Sequence, residues 1–376
     1  MNVNSLICKL IAEDKNWKET LSNLKIRVKE SLPLAIFNYD IEADFTNPIV
    51  REARGIIIDI SSLEVVCWPF TKFCNLHEEG AKLDLENFDW DSCRCLEKVD
   101  GSIVKLWFNN LEGNWQWSTN SCISAKEADK ANKIGTYYDL IKSAVNYRNI
   151  NFGSLNKDLT YIFELVSPEN KVVVQYKNTE LYHIGTRSNV TGKELELDIG
   201  IKKPKDYKLN SLQDCIDACQ KLNIPGGEVT NEGFVIVDKY YHRAKIKSPE
   251  YLIKHRLVDV GRLSKLNIIS SLRSGITTID DLIELAPYRK VHFKYYDFKM
   301  SELEFNLQRY VYYVKGLYEE LGRDRKALAN TIKKDKYAAF GFEAITHEGY
   351  DVSKRLEELP DHRYAKLIDD YEIMQF

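Results

Sequence analysis

The apolar pattern of this 376-residue chain changes character once, at Pro249. Before Pro249, short apolar runs typical of β-strands alternate with turn clusters and a few helical stretches. Beyond it, almost every segment to Phe376 repeats its apolar residues at helical spacing. Because a chain of this length has room for about two or three domains, we predict an α+β domain at residues 1–250, with antiparallel sheets flanked by helices, and an all-helical domain at residues 251–376.

The first domain carries repeated strand signals. The predicted strands lie at 34–41, 55–60, 64–70, 102–108, 114–119, 161–166, 171–176, 180–187, 232–238 and 242–248. Helices are predicted within residues 1–30, as one or two helices, and at 124–145 and 210–222. In the second domain an apolar stripe of helical spacing is formed by Leu303, Leu307, Tyr310, Val311, Val314, Leu317 and Leu321.

Composition places the chain among globular proteins. Charged residues make up 29% and hydrophobic residues 44% of it, and no window approaches the roughly 20 apolar residues of a membrane-spanning helix. Eight cysteines are too sparse for a disulfide framework, and because no Cys-x-x-Cys pair occurs we predict no zinc site. The amino terminus lacks the layout of a signal peptide, so we expect a cytoplasmic protein without membrane contact.

The formal net charge of −3 argues against a globally basic surface for nucleic acid. A local basic stretch nevertheless runs from Arg243 to Lys265, with seven positive residues against two acidic ones. Such a stretch is typical of a surface that binds a phosphate backbone, and equally of a solvated helix face. Both interpretations stay open for the part beyond Tyr251.

The sharpest local signal is the segment 97–102, Glu-Lys-Val-Asp-Gly-Ser, which puts Lys98 at a turn between two apolar strand segments. Alone, Lys-x-Asp-Gly is a weak motif that an ordinary β-turn explains. Other charged residues accompany strands in the same domain, namely Arg51, Arg54, Glu164, Glu232, Lys245 and Lys247. The last two project to one face of their strand.

The order of these motifs resembles that of the covalent nucleotidyltransferases, the superfamily of ATP-dependent ligases and capping enzymes. The details narrow the resemblance to the T-even phage RNA ligase 1 family. The matching segments are 36–39, 51–56, 69–76, 97–102, 163–173 and 245–251, in the same order and at closely similar spacing. The resemblance implies a nucleotidyltransferase fold with ATP-grasp-like antiparallel sheets, and adenylyltransferase activity, for residues 1–250.

The resemblance further implies an ATP-dependent RNA ligase that joins 5′-phosphate and 3′-hydroxyl ends. Lys98 would attack the α-phosphorus of ATP to form a lysyl-adenylate, AMP would pass to the RNA 5′-phosphate, and the 3′-hydroxyl would then displace AMP. The implied cofactors are ATP and Mg²⁺, with Mn²⁺ as an alternative, and the implied partners are single-stranded RNA or nicked tRNA ends. It also suggests tRNA repair, in the host cytoplasm if a phage encodes the chain, with residues 251–376 selecting the RNA. We expect a monomer.

Roles for individual residues follow from the same resemblance. Lys98 is the nucleophile, Glu164 contacts the ATP ribose, and Tyr251 is needed for ligation. The implied contacts to the nucleotide or its phosphates are Tyr39, Arg54, Lys72, Lys245 and Lys247. Glu232 helps to place the metal and the 5′ end, and Asp100 and Gly101 shape the loop of the nucleophile. Asp280 in the helical domain matches a metal-contacting acid, although its position fits a helix N-terminal residue equally well.

The first transfer requires a neutral lysine. With an ordinary pKa near 10.4, only about one lysine in a thousand is neutral at pH 7.4. Nearby cations and partial desolvation lower the pKa of a lysine. We expect Arg54, Lys245, Lys247 and a bound magnesium ion to act on Lys98 in this way and to hold the triphosphate oxygens as well.

One position departs from the family pattern. The strand after the Asp-Gly-Ser segment commonly carries a lysine or arginine followed by Gly-Ser, but this chain has Thr119 there, and Lys105 supplies the charge only if the fold brings it in. Two alternatives stay open: another polynucleotide ligase, acting on nicked duplex or DNA, and a catalytically impaired RNA-binding or nucleotide-sensing relative. The helical pattern after Lys247 disfavours the OB-fold that a DNA ligase or capping enzyme usually carries there.

Overall fold

A computed structural model of the chain describes residues 4–40, 42–76, 78, 80–128, 135–170, 172–209, 211–224, 228–258, 265–273, 278–285 and 289–369. The chain divides into two compact units, Met1–Leu252 and Ile253–Phe376. The first unit contains strands and helices, whereas the described part of the second is helical. The prediction of an α+β domain with antiparallel sheets, followed by helices, is therefore confirmed.

Three antiparallel sheets form the described part of the first unit. The strands are β1 (Ile26–Ser31), β2 (Leu34–Tyr39), β3 (Arg54–Asp59), β4 (Glu64–Cys67), β5 (Arg94–Glu97), β6 (Ser102–Asn109), β7 (Asn114–Thr119), β8 (Leu159–Val166), β9 (Glu180–Ser188), β10 (Glu194–Leu195), β11 (Gly233–Val237) and β12 (Arg243–Lys247). The sheets have the strand orders β1-β2-β3-β4, β10-β9-β8-β6-β7 and β12-β11-β5. The helices are α1 (Leu6–Glu13), α2 (Trp17–Asn23), α3 (Pro48–Glu52), α4 (Gly80–Leu85), α5 (Tyr137–Ser143), α6 (Leu212–Gln220) and α7 (Pro249–Val258), which runs past the boundary of the unit.

The two middle strands of the four-stranded sheet, β2 and β3, are buried on both faces, and their apolar runs explain why. Successive side chains of a strand point to opposite faces. Phe37 of β2 and Ile56 of β3 belong to the core that α1, α2 and α3 cover. Ile36 and Ile57, one residue away on the same strands, pack against Trp107 of β6. The four-stranded and five-stranded sheets therefore share a hydrophobic core.

The five-stranded sheet is built around β8, whose residues are all buried. Its β6–β7 hairpin turns at residues 110–113, as the polar turn cluster predicts, and Gly113 takes the left-handed backbone conformation there (φ +68°). Val104 and Leu106 of β6 pack with α5 on the face opposite Trp107. Because β5 belongs to the three-stranded sheet and β6 to this one, residues 98–101 cross from one sheet to the other.

The three-stranded sheet packs against α6 through a small core that includes four cysteines, Cys93, Cys95, Cys215 and Cys219. All eight cysteines of the chain are free thiols, and all but Cys122 are buried. Among the described residues, no helix combines the length and apolar character that a bilayer crossing requires.

The second unit has its own hydrophobic core. Its further helices are α8 (Lys265–Arg273), α9 (Ile279–Leu285), α10 (Lys290–Glu320), α11 (Arg325–Ile332), α12 (Ala338–Thr346), α13 (Val352–Glu358) and α14 (Asp361–Lys366). The predicted apolar stripe lies on α10, where Leu303, Leu307, Val311 and Val314 are buried.

Three element predictions need correction. Residues 1–30 contain α1 and α2 as expected, but they end in β1, which pairs with β2. The predicted helix at 124–145 is a single 3-10 turn (Ala125–Glu127) and the short α5, with residues 129–134 outside the described part. Residues 172–176 are a loop rather than a strand, since the N–H groups of Val173 and Val174 donate to a side chain, and Lys171 lies outside the described residues.

Candidate active site

Lys98 follows the last residue of β5, at the start of the crossing between two sheets. Its backbone N–H donates to the carbonyl of Gly233 at the start of β11 (2.9 Å). The residue lines a cavity of about 330 Å³, and Arg54 of β3, Glu164 of β8 and Lys245 of β12 line the same cavity. The fold thus gathers charged residues that are far apart in the sequence.

Two lysines share one buried carboxylate beside the cavity. Lys98 Nζ lies 2.7 Å from Oε2 of Glu232, and Lys247 Nζ lies 2.9 Å from Oε1. The side chain of Glu232 is 2% exposed, so water screens its charge little. Burial lowers the pKa of Lys98, but the charges of Glu232 and Glu164 outweigh burial and raise the pKa above the ordinary lysine value. Lys98 is therefore protonated in the free protein.

Glu164 supplies a second carboxylate, in the cavity wall itself. Its Oε1 accepts the N–H of Gly101 (3.2 Å), which ties it to the loop of Lys98. Burial raises the pKa of Glu164 to about 7 against the opposing charge of Lys98, and the nearby Glu232 adds to the rise. Glu164 consequently titrates near neutral pH.

Lys245 lies among other cations. Its Nζ is 4.6 Å from the centroid of the Phe73 ring, and the guanidinium carbon of Arg54 is 5.1 Å from the same centroid. Burial lowers the pKa of Lys245 to about 6, and the charges of Arg54 and Lys98 contribute. Lys245 is therefore largely neutral at pH 7 and would gain a proton when an anion enters the cavity.

Lys72 and Tyr39 lie near this group, but neither is among the described residues that line the cavity. Lys72 Nζ pairs with Glu78 at 3.2 Å and lies 4.8 Å from the centroid of the Phe45 ring. Tyr39 meets the same ring edge-on, with centroids 5.0 Å apart, and interacts electrostatically with Arg54. The two predicted nucleotide contacts therefore both contact the Phe45 ring and lie outside the described lining of the cavity.

A buried aspartate holds the loop of the nucleophile, and the sequence gives no indication of its partners. Asp100 Oδ2 accepts the N–H groups of Val173 (2.9 Å) and Val174 (2.7 Å). Its Oδ1 accepts the hydroxyl of Tyr251 (2.7 Å), a side chain only 1% exposed. Lys247 Nζ lies 5.0 Å from the centroid of the Tyr251 ring. Tyr251 thus contacts the site through Asp100 and Lys247 rather than through the cavity.

The comparisons with known proteins agree with this arrangement. The model of the RNA ligase family of the T4 type matches residues 52–251, which is more than half of the chain and spans Arg54, Lys98, Glu164, Glu232 and Lys245. The chain belongs to this RNA ligase family. The resemblance inferred from the motifs is therefore confirmed.

Several individual proteins are similar to this chain. A protein of Autographa californica nuclear polyhedrosis virus, named as a bifunctional polynucleotide kinase/RNA ligase, is 30% identical over 265 residues, which are 64% of this chain. This chain spans only 36% of that relative's length. The RNA ligase of Rhodothermus phage RM378 is 26% identical over 328 residues, 70% of this chain and 74% of its own. Among solved structures, an archaeal ATP-dependent RNA ligase covers 80% of this chain and 82% of its own, with a TM-score of 0.49 and 14% identity.

Thr119 occupies the position where the RNA ligase family commonly has a lysine or arginine, and its side chain stabilises a turn. Its Oγ1 accepts the N–H of Cys122 (3.1 Å). Lys105 does not replace the missing charge in the cavity, because it is fully buried and is not among the described cavity-lining residues. Its Nζ instead donates to the carbonyl of Gly55 (2.5 Å), next to Arg54 in the chain.

The predicted metal contacts differ in their surroundings. Both oxygens of Glu232 are engaged by lysines. Asp280 is an exposed residue near the start of α9, in the second unit, and it stays a predicted metal contact. No group of three or more His, Cys, Asp or Glu side chains that could hold a metal occurs within the described parts of the chain.

The basic stretch from Arg243 to Lys265 is only partly described. Arg243 is buried and pairs with Glu194 at 2.7 Å, and Lys265 Nζ donates to the carbonyl of Ile368 (2.8 Å). The side chains of Lys254 and Arg256, and the whole of Arg262, lie outside the described residues. A phosphate-binding surface in this stretch stays a prediction.

Proposed function

We propose that the chain is an ATP-dependent RNA ligase that joins 5′-phosphate and 3′-hydroxyl ends through a covalent lysyl-AMP. The observation that carries the proposal is the position of Lys98 in a cavity whose wall also contains Arg54, Glu164 and Lys245. A nucleophilic amine beside convergent cations suits attack on a phosphate ester, which needs both a positioned nucleophile and neutralised oxygens.

In the first step, neutral Lys98 attacks the α-phosphorus of ATP. The new N–P bond forms as the P–O bond to pyrophosphate breaks. The nitrogen, which becomes positively charged on attack, then loses one proton to solvent. AMP then passes to the 5′-phosphate of RNA, and the 3′-hydroxyl displaces it. Because Lys98 is paired with Glu232 in the free protein, it must lose a proton before it attacks.

The cations of the cavity have a second task. Arg54 and Lys245 lie over one aromatic ring, and together they offer donors to the phosphate oxygens. Entry of the triphosphate would protonate Lys245, and the new charge beside Lys98 would favour its neutral form. Glu164 at the cavity wall is suited to accept from the ribose hydroxyls.

Magnesium fits this donor set. Glu164 and Glu232 are close enough for the charge of Glu232 to raise the pKa of Glu164, and a divalent ion would relieve that repulsion. Mg²⁺ commonly uses one or two carboxylates together with substrate phosphates, so Glu164 is the first candidate ligand and Glu232 the second. When bound, the ion would neutralise charge on the phosphates.

The rest of the proposal concerns the substrate. We assign single-stranded RNA or nicked tRNA ends as substrates, the unit Met1–Leu252 as the adenylyltransferase, and the helical unit Ile253–Phe376 as the part that selects RNA. Family membership supports RNA over DNA. We further assign the enzyme to RNA repair in the cytoplasm, as a monomer that uses ATP and Mg²⁺ as cofactors.

A joining assay with several substrates tests this proposal. The protein is incubated with ATP, Mg²⁺ and either 5′-phosphorylated single-stranded RNA, a nicked tRNA, or a nicked DNA duplex, with Lys98→Ala as the control. We expect circularised or sealed RNA from the unaltered chain only. Sealing of nicked DNA alone would support another polynucleotide ligase, and RNA binding without any product would support the impaired relative.

A further inference from the structure

Lys105 is a fully buried lysine that the proposed reaction does not use. Lysine is among the residue types least often buried, because its charge loses hydration. On β6 it lies opposite Ser118 of β7 and Ile162 of β8, on the face of the sheet that carries Trp107. Its ammonium group therefore enters the apolar layer between the five-stranded and four-stranded sheets.

The partner of Lys105 is a carbonyl at a bulge in the other sheet. The register of β2 with β3 jumps from Phe37–Ile56 to Asn38–Arg54, which leaves Gly55 as an extra residue. Gly55 has a φ of +80°, in the left-handed region, and its carbonyl accepts from Lys105 Nζ at 2.5 Å. The hydrogen bond joins the two sheets at the residue that follows Arg54.

The space around Gly55 is limited by the same contact. A Cβ at this position would lie 2.8 Å from Lys105 Nζ and 2.8 Å from the carbonyl oxygen of Asn120. The bulge therefore requires glycine, and the ammonium group fits closely against the bulged backbone. Burial lowers the pKa of Lys105 to about 8, and the charge of Arg54 contributes, so the two cations are near enough to repel each other.

From this geometry we infer that Lys105 is a positioning residue for ATP binding: it fixes the Gly55 bulge and thereby directs the guanidinium of Arg54 into the cavity beside Lys98. The inference rests on the proposed function, because it takes the cavity to be the ATP site. Two effects act together. The hydrogen bond sets the backbone of residues 54–55, and repulsion from the buried ammonium favours Arg54 rotamers that face the cavity.

A hydrogen bond that only joins the two sheets should affect stability and not ATP binding. The chain contains such a hydrogen bond for comparison. Thr160 is fully buried on β8, and its Oγ1 accepts the N–H of Trp68 (2.8 Å), just after β4 in the other sheet. This hydrogen bond joins the same two sheets without involving Arg54. Thr160→Val removes this contact, together with the hydrogen bond that Thr160 Oγ1 donates to Asn189 Oδ1 (2.6 Å), and serves as the control.

The test measures lysyl-AMP formation at varied ATP concentration. Lys105→Met keeps the length of the side chain and removes its donor, and Lys105→Leu, which also lacks a donor, is the second variant if Lys105→Met does not fold. We expect either to raise KM for ATP, the concentration that gives half the maximal rate of lysyl-AMP formation, about tenfold. The maximal rate should stay within about twofold, because Arg54 contributes to binding before the chemical step. Thr160→Val should lower the melting temperature and leave KM unchanged.

A double-mutant cycle shows whether the effect passes through Arg54. In an Arg54→Ala background, Lys105→Met should change KM for ATP by less than about twofold. The inference is overturned if Lys105→Met leaves KM unchanged, or if it raises KM as much without Arg54 as with it. If the unaltered protein forms no lysyl-AMP at all, the proposed function fails instead, so the two failures are distinguishable.

Discussion

Lys98 and Lys245 border one cavity, yet their surroundings move their pKa values in opposite directions. Lys98 pairs with the buried Glu232, which raises its pKa above the ordinary value. Lys245 has cations for neighbours and a pKa of about 6. Lys98 is thus an ammonium group in the free protein, whereas Lys245 is largely neutral and takes up a proton when phosphates bind.

Glu232→Gln tests how the nucleophile is held. Loss of the carboxylate leaves two lysines beside a neutral amide, so the pKa of Lys98 should fall. Because the neutral amine is the attacking form, the rise of the adenylation rate with pH should move to lower pH by the same amount. Single-turnover lysyl-AMP formation across a pH series measures this shift.

Glu196→Gln is the matched control for that series. Glu196 also lines the cavity, but it pairs with Arg94 and Lys203 instead of Lys98. We expect its pH profile to coincide with that of the unaltered protein. An unmoved profile in Glu232→Gln, or an equal displacement in both variants, would show that Glu232 does not set the protonation of Lys98.

Proton uptake on ATP binding tests the state of Lys245. With a pKa of about 6, Lys245 is mostly neutral at pH 7.5. Phosphate charges raise that pKa, so binding should take up close to one proton through this residue. Calorimetry in buffers of different ionisation enthalpy measures the uptake, which should drop in Lys245→Met and persist in Lys203→Met, a cavity lysine already paired with Glu196. Equal uptake in all three proteins would contradict the assignment.

For individual residues, the sequence predicts which charged side chains belong to the site, but not the contacts that position them. Lys98, Glu164 and Lys245 are recognisable because each accompanies a strand in a fixed order. The partners of Asp100 are not, since Val173, Val174 and Tyr251 reach it from segments over 70 residues away. Such contacts depend on the packing of whole sheets, and no local pattern encodes them.

The crossing from β5 to β6 is the element on which the site depends. Gly101 lies in it with its backbone against the carbonyl of Leu165, so closely that a Cβ would collide with that oxygen. The loop of Lys98 therefore lies closely against β8, and Asp100 ties it to the backbone of Val173 and Val174. A loop fixed at two places presents its lysine in one position.

Gly101→Ala should displace this loop. Because the obstruction is backbone rather than a flexible side chain, Lys98 should shift, and a displacement of about 1 Å is enough to lower the adenylation rate about 100-fold. Gly113→Ala is the control: Gly113 has a φ of +68° and nothing within 4 Å of a Cβ, so only about 1 kcal/mol of stability should be lost. The labelling rate and urea unfolding distinguish the two, and a Gly101→Ala protein with normal adenylation would contradict the role of the loop.

Strands with alternating or continuous apolar residues are predictable here, and the exceptions have a physical cause. The hairpin of β6 and β7 agrees with its prediction to within a residue, because sequence-local pairing determines it. The apolar run at 171–176 has the composition of a strand but forms a loop, since Asp100 takes its N–H groups. A buried carboxylate competes with a neighbouring strand for these N–H groups, and the sequence does not show which of the two accepts them.

The whole molecule separates into two units with cores of their own, and the proposed chemistry falls in the first. A small hydrophobic cluster of that unit includes Tyr251, near the start of α7. We expect a chain that ends at Val258, and so keeps α7, to form lysyl-AMP within about threefold of the full-length rate. The same truncation should lose most RNA joining, which the helical unit is proposed to direct.

Labelling and joining assays on the truncated chain check this expectation. Circular dichroism first establishes that it folds. A folded truncation without lysyl-AMP formation would mean that the helical unit completes the adenylation site. Undiminished RNA joining would show that the helical unit does not select the substrate.

The covalent intermediate is the central claim, and its detection is the most direct test. The protein is incubated with ATP and Mg²⁺, denatured, and digested for mass spectrometry, with Lys98→Ala treated in parallel. We predict one AMP adduct, located on Lys98, absent from Lys98→Ala, and discharged when pyrophosphate is added. An adduct on another lysine, or a folded, ATP-binding protein that carries no adduct, would contradict the account.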